Sequence, residues 1–387
     1  MEQNAMLKQM EKFPEVFQKV EKPLLEKAEN ILPQGQLETL GMVYLVGSGD
    51  SYNAAVTSAY AFEKYTKLPT VAIPALTAAR YLSDTLTKER AAQTLIVIIS
   101  NSGEAARSAE AARMLKKAGC IVLALTDRPD SKVGRVSDYI FSMEIPVLDK
   151  PEIPLPGVYG YEVQVVSLYW MAIEFAYKLK RLSAEEKNSL QEEFSEFPGM
   201  FRGAFLSGKK DLQIFAKLCR LCGRMEVIGG GPLRGAGDFG VSKILEANGM
   251  SAYSQDMEEF AHQTFFSEDP DRLPTVLLIC SKGRCKDRSL EILQVLRHLG
   301  RPVLVMTDDS FLLPKDYDGM VVSLSKPVSE TLASFLYAGL LSCMTAMIPH
   351  RVGDTYMHGH TGPFSEEGLP TVKGSRICIE EEEVPKY

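Results

Sequence analysis

The 387-residue chain contains no run of eighteen apolar residues, so no segment is expected to span a membrane. Its start, MEQNAMLKQMEKFPEVFQKV, lacks an apolar signal core, and secretion is not expected. An excess of positive charge is missing as well. The formal net charge is -7, which argues against a nucleic-acid or anionic-membrane partner. Neither half contains GxxxxGK[ST], and GGGPLRGAG (229–237) is not a clean GxGxxG with a suitably placed acid. A P-loop and a dinucleotide site are therefore disfavoured. Cys219 and Cys222 form a CxxC with no second pair, and read as two thiols on a helix face. The seven cysteines are an odd number without a signal peptide. That favours reduced thiols and a cytoplasmic location. Histidines number five, three of them in HRVGDTYMHGH (His350, His358, His360). No Cys or carboxylate partner stands at a recognised ligand spacing. No metal and no other cofactor is expected.

What is present is an alternation of strands and helices. Residues 1–40 read as an N-terminal helical arm, one or two helices broken near Pro23 and Pro33. Met6, Met10, Phe13 and Phe17 mark its apolar face. MVYLV (42–46), PTVAIPA (69–75), TLIVIIS (94–100), CIVLALTD (120–127) and DYIFSME (138–144) read as strands. The first runs into GSGDSYN (47–53) and the third into NSGEAARS, each opening a helix. That arrangement points backbone N–H groups and hydroxyls at an anion. Residues 161–223 read as long helices. A second unit begins at MEVIGGGPLRGAGDFG (225–240). In it, TVLLICSKGRCKDRSLEILQVLRHLG (275–300) and PVLVMTDD (302–309) repeat the earlier strand–helix–strand pattern, an internal duplication. The fold class is α/β, with doubly wound, mostly parallel sheets flanked by helices. The expected domains are 1–40, 41–195, 196–349 and a tail, 350–387. The acidic run Glu380–Glu383 in that tail reads as solvated surface.

Chemistry concentrates in KILEANGMSAYSQDMEEFAH (243–262). Lys243 and Glu246 stand three apart, as do Glu259 and His262, a spacing that places neighbours on one helix face. Such a set can move protons on and off a small molecule. A Lys/Glu pair at this spacing is also the ordinary surface ion pair.

ISNSGEAARS (99–108) after a strand, with GSGDSYN upstream, resembles the sugar isomerase (SIS) domain family. The duplicated pattern resembles the isomerase half of glucosamine-6-phosphate synthase over about residues 40–345. The resemblance implies two tandem SIS domains, the first holding a phosphate through Ser51, Ser100, Asn101, Ser102 and Gly103. Gly49 and Asp50 would contact substrate, with Asp50 turned away from the phosphate. Ala105 stands where the family often has Thr. In the second unit the resemblance makes Glu246 the base and His262 the ring-opening group. Lys243 would stabilise an enediolate, and Glu259 is the second glutamate. The Glu246–His262 spacing of sixteen is the family spacing. Gln263-Thr264 replaces the usual Gly-Pro, and CSKGRCKD has lost SxSGE. The family's tail covers its site, which makes a tail contact to substrate the expectation here. Lys373 lies about two residues from the tail lysine's place. A homodimer is implied, because the family's histidine can reach the neighbouring subunit. The expected activity is a phosphosugar isomerase or deaminase working by enediol-type proton transfer on a small sugar phosphate or amino-sugar phosphate. The alternatives are a deglycase of a fructosyl-amino-acid phosphate and a non-catalytic sugar-phosphate sensor. No glutaminase half precedes residue 40, so synthesis from glutamine is not expected.

Overall fold

The computed structural model describes residues 4–148, 155–350 and 355–375. Cys378 and the run Glu380–Glu383 lie outside them. Two five-stranded sheets account for the strands, and every pairing in both is parallel. The first contains β1 (Met42–Gly47), β2 (Thr70–Pro74), β3 (Thr94–Ile99), β4 (Ile121–Thr126) and β5 (Tyr139–Ser142) in the order β2-β1-β3-β4-β5. The second contains β6 (Arg224–Ile228), β7 (Ser251–Gln255), β8 (Thr275–Ile279), β9 (Val303–Thr307) and β10 (Met320–Ser323). Read from the other edge, its order is β7-β6-β8-β9-β10. The two orders are the same, so the duplication extends to topology. One compact unit gathers residues within 19–146, 159–190 and 365–387 and holds the first sheet. The other gathers residues within 1–18, 147–158 and 191–364 and holds the second.

The centre of each sheet follows from composition. TLIVII and IVLALT in the first sheet, and TVLLI and VLVMT in the second, are buried at every position, as strands covered on both faces must be. Each unit also contains a helix that is buried almost all round, Tyr159–Lys178 in the first and Glu330–Met347 in the second. Neither has a polar face of the usual width, which suits interior helices.

Two expectations are corrected. Pro23 does not break the arm, because one helix runs from Ala5 to Asn30 through both Pro14 and Pro23. Each proline costs a helix interior about 3 kcal/mol. Burial of Met6, Met10, Phe13, Phe17, Val20 and Leu24 at about 1.5–3 kcal/mol each outweighs that. Phe13 alone meets Phe197, Phe201 and Phe335 edge-on at 4.8, 5.3 and 5.6 Å. Pro33, by contrast, does stand immediately before a new short helix, Gln34–Glu38. The second correction is that β7 lies within the segment whose spacing reads as helical. SAYSQ is only partly buried along its length and pairs on one side only, so its residues carry no apolar alternation.

Candidate functional site

In the first unit the two Ser/Gly turns leave the carboxyl ends of adjacent strands β1 and β3. Gly49 adopts φ 56°, ψ -130° as it opens the helix Asp50–Thr66, a conformation open only to glycine. Gly103 has φ 61°, and a Cβ there would stand 1.9 Å from Ser131 Oγ. Both glycines are thus fixed by backbone shape. Ser102 Oγ accepts from Glu104 N at 3.2 Å and so shapes the loop. Glu104 itself turns away, accepting from Lys132 N at 3.2 Å, so its charge does not face the turn. Ser51 and Ser100 are both buried. Asp50 is half-buried, and its charge adds to the burial that holds the Tyr161 phenol far above its usual pKa.

Three contributors reach this region; the tail was expected near the site, whereas Gln164 and Arg107 were not named from sequence. Gln164, on the helix Tyr159–Lys178, donates from Nε2 to Ser51 Oγ at 3.0 Å and to Asn101 Oδ1 at 3.2 Å. It therefore ties both turns together. Its signal was a lone amide in the otherwise apolar run VQVVSLYW. The second contributor is the tail. Val372 O accepts from Ala106 N at 3.1 Å, over the start of the helix Ala106–Lys117. Lys373 therefore belongs to a segment lying on the Ser/Asn turn. The third is Arg107, which donates to Ser375 Oγ at 3.1 Å and pairs with Glu110.

Two residues before Gln164, Glu162 is buried, with no hydrogen-bond partner for either oxygen among the described residues. Burial pushes its pKa well above the usual carboxylate range. An unfolded chain loses this proton near pH ~4.3 while the folded one keeps it. Glu162 thus weakens the fold progressively as pH rises above that value. Glu162→Gln is expected to melt at a higher temperature than the parent at pH 7.5, with the gap closing by about pH 4. Equal melting temperatures across this range would show that the carboxyl is not held neutral.

The second unit holds the acid–base residues. Lys243 lies on the helix Pro232–Asn248 with no exposed surface. Its Nζ donates to Glu246 Oε2 at 2.7 Å and to Gly157 O at 3.0 Å. It also stands over the Phe239 ring at 5.2 Å. The pair is therefore no ordinary surface ion pair. Its cation is sealed, and its carboxylate is 36% exposed. Glu259 and His262 share the short helix Met257–His262 but do not pair. Glu259 Oε2 accepts from Gln263 at 2.7 Å, and His262 Nε2 approaches Glu258 at 3.6 Å. The imidazole is 70% exposed.

Glu246 and His262 are not side by side. The helix Pro232–Asn248 leaves the carboxyl end of β6 and runs back along the sheet. At 1.5 Å per residue, Glu246 is about 21 Å from its start, near the edge where β7 begins. β7 then travels about 13 Å the other way before the helix of His262. Gln255 at the end of β7 bonds Gln263 at 3.1 Å, which keeps His262 at that far edge. A buried set anchors the turn after His262. Thr264 Oγ1 donates to Glu226 Oε1 at 2.6 Å, and Arg301 donates to Glu226 and to Thr264 O. Arg301 also lies 5.2 Å over the Phe260 ring. Burial raises the Glu226 pKa, and Thr264 and Arg301 oppose the rise. This is how Gln263-Thr264 is held where the resemblance expects Gly-Pro.

The three tail histidines do not gather. His350 meets Tyr356 edge-on at 4.7 Å, and His358 stacks on Phe364 at 4.0 Å. Among the described residues no three His, Cys, Asp or Glu side chains converge as metal ligands, and no helix is long and apolar enough to cross a membrane.

Comparison with known proteins adds the following. Residues 39–182 match the SIS domain family. Glutamine–fructose-6-phosphate aminotransferase (isomerizing) of Clostridium tetani is 32% identical over 173 residues, 44% of this chain and 27% of that protein. The Rhizobium meliloti enzyme of the same name is 24% identical over 290 residues, 75% of this chain and 46% of that protein. The chain thus spans less than half of these relatives. Among solved structures, the C-terminal domain of glucosamine-fructose-6-phosphate aminotransferase from Francisella tularensis superimposes with a TM-score of 0.77 at 20% identity. That match covers 90% of this chain and 96% of the other. Glucosamine-6-phosphate deaminase from Thermotoga maritima gives a TM-score of 0.61 at 20% identity, covering 86% and 92%. At these identities the structural likeness is one of fold.

Proposed function

We propose that this SIS-domain chain, homologous to the isomerase domain of glucosamine-fructose-6-phosphate aminotransferase, rearranges a phosphorylated sugar or amino sugar. The reaction we assign is aldose–ketose proton transfer, with or without loss of ammonia. Ser51, Ser100, Ser102 and the turn at Gly103 take the phosphate, whose charge suits hydroxyls and backbone N–H groups at a helix start. Glu246 carries the proton between neighbouring carbons, and Lys243 steadies the developing oxygen charge. The observation that carries this reading is the sealed Lys243 ammonium, held 2.7 Å from the half-open Glu246 carboxylate. A cation without solvent beside a carboxylate with solvent is what a base of fixed direction requires.

His262 opens the sugar ring, and an imidazole suits that step near neutral pH. Because it stands about a strand's length from Glu246 of its own chain, we assign its action to the Glu246 of a second copy in a homodimer. A deglycase remains the second reading, since the same base and acid serve when the leaving group is an amino acid.

Incubation with the 6-phosphates of fructose, glucosamine, galactosamine and fructosyl-lysine in D₂O, followed by NMR, tests the assignment. Deuterium exchange beside the carbonyl, or ammonia release, is the expected result. Free amino acid from the fructosyl-lysine ester moves the chain to the second reading. Binding without turnover on all four rejects the enzyme assignment in favour of a sensor.

A further inference from the structure

Gln164 is 1% exposed and sits in the second turn of the helix Tyr159–Lys178. A buried primary amide is stable only where its hydrogens and oxygen find partners. Here Nε2 serves two acceptors, Ser51 Oγ at 3.0 Å and Asn101 Oδ1 at 3.2 Å. Its own Oε1 is buried with no partner among the described residues. The amide has thus given up its acceptor to keep its donors on the two turns. Four residues earlier on the same helix face, Gly160 leaves room for Asn101. A Cβ at that position would lie 2.0 Å from Asn101 Nδ2. The helix therefore presses directly on one turn and bonds both.

The hydrogen-bond inventory gives this arrangement a direction. A serine hydroxyl has one hydrogen and two lone pairs. When Ser51 Oγ accepts from Gln164, its hydrogen remains to be donated outward. When Asn101 Oδ1 accepts, one of its two lone pairs is used while both Nδ2 hydrogens remain, so hydrogens outnumber lone pairs on the two turns. An acceptor-only ligand such as a phosphate dianion meets donors, and a neutral hydroxyl, which needs an acceptor for its own hydrogen, is disfavoured. Resting on the phosphate assignment above, we propose that Gln164 is a positioning residue that sets the hydrogen-bond polarity of the two turns and so selects a fully ionised phosphate ester.

The test uses sulfate, with Gln164→Leu, which removes both donor hydrogens, and Gln164→Glu, which keeps the shape of the side chain. Buried two residues from Glu162, a carboxyl at this position keeps its proton and can donate it to Ser51 Oγ. Calorimetric titration of the 387-residue chain at pH 7.5 is expected to show sulfate binding at least tenfold weaker in Gln164→Leu, on the order of one charged hydrogen bond, and closer to the parent's in Gln164→Glu. Melting temperatures of all three proteins are taken alongside. Parent-like binding by Gln164→Leu overturns the proposal. Equal weakening in both variants also overturns it, because a donor restored at the same place would then have no effect. If the parent itself binds neither sulfate nor inorganic phosphate, the phosphate assignment fails first and this inference with it.

Discussion

Replacing Glu246 with Gln lowers turnover by about 10²–10⁴-fold, the range for removing a positioned base, while phosphate-ester affinity stays close to the parent's. Gln keeps the length and one oxygen of Glu, so the hydrogen bond from Lys243 Nζ can persist. What disappears is the capacity to hold the substrate proton. Lys243 retains the Gly157 carbonyl at 3.0 Å and the Phe239 face, and these two contacts keep the buried cation supported in the variant. Steady-state rates on whichever ester the panel identifies, with affinity measured separately, check both halves of this expectation. The same variant tests the two-chain site. On the proposed homodimer, mixing it with His262→Ala chains is expected to give hybrids in which one site has both Glu246 and the partner's His262. Activity must then exceed that of either variant alone. Parent-like turnover by Glu246→Gln sinks the base assignment, and an inactive mixture sinks the shared site.

The largest effect on stability is expected at Arg301. Arg301→Ala leaves Glu226, wholly buried on β6, with Thr264 as its remaining partner. Breaking a buried pair on one side costs about 3–5 kcal/mol, because the surviving charge is stranded. Urea unfolding should show a lower midpoint, and the loss of the Thr264 carbonyl contact should loosen the turn after His262 and lower turnover too. Removing both charges, as Glu226→Leu with Arg301→Met, is expected to recover most of the stability, since apolar replacements of buried pairs are often neutral. Turnover need not recover, because the Thr264 anchor is still gone. A midpoint change of under about 1 kcal/mol in Arg301→Ala, the level of a surface pair, would show that the pair carries no such load.

The central strands were legible because parallel strands covered on both faces must be apolar throughout, and TLIVII and IVLALT are. The edge strand β7 was not, since its partly solvated SAYSQ has no such constraint. β10 went unread for a related reason. MVVS is four residues long, follows the polar stretch KDYDG, and is also an edge. The arm's continuity through Pro23 was hidden because local propensity speaks against it and only long-range contacts of Phe13 and its neighbours decide it. In the site, Lys243 and Glu246 were found because helical spacing makes them neighbours. Sequence distance alone said nothing of the strand that parts Glu246 from His262. Gln164 and Val372 reach the first unit's turns from far along the chain, and no local pattern announces such contacts.

Gly231 opens the helix Pro232–Asn248 with φ 55°, ψ -131°, the dihedrals of Gly49 to within a degree. The turn that contains it, GGGPLR, carries no hydroxyl, and Glu330 Oε1 lies 3.7 Å from where a Cβ on Gly231 would stand and 2.9 Å from one on Gly283. A carboxylate has taken the region that in the first unit suits an anion. The same bend in the backbone therefore frames two different electrostatic neighbourhoods, one furnished with hydroxyls and one with a carboxylate. The shape of such a turn does not by itself decide the sign of the charge it receives.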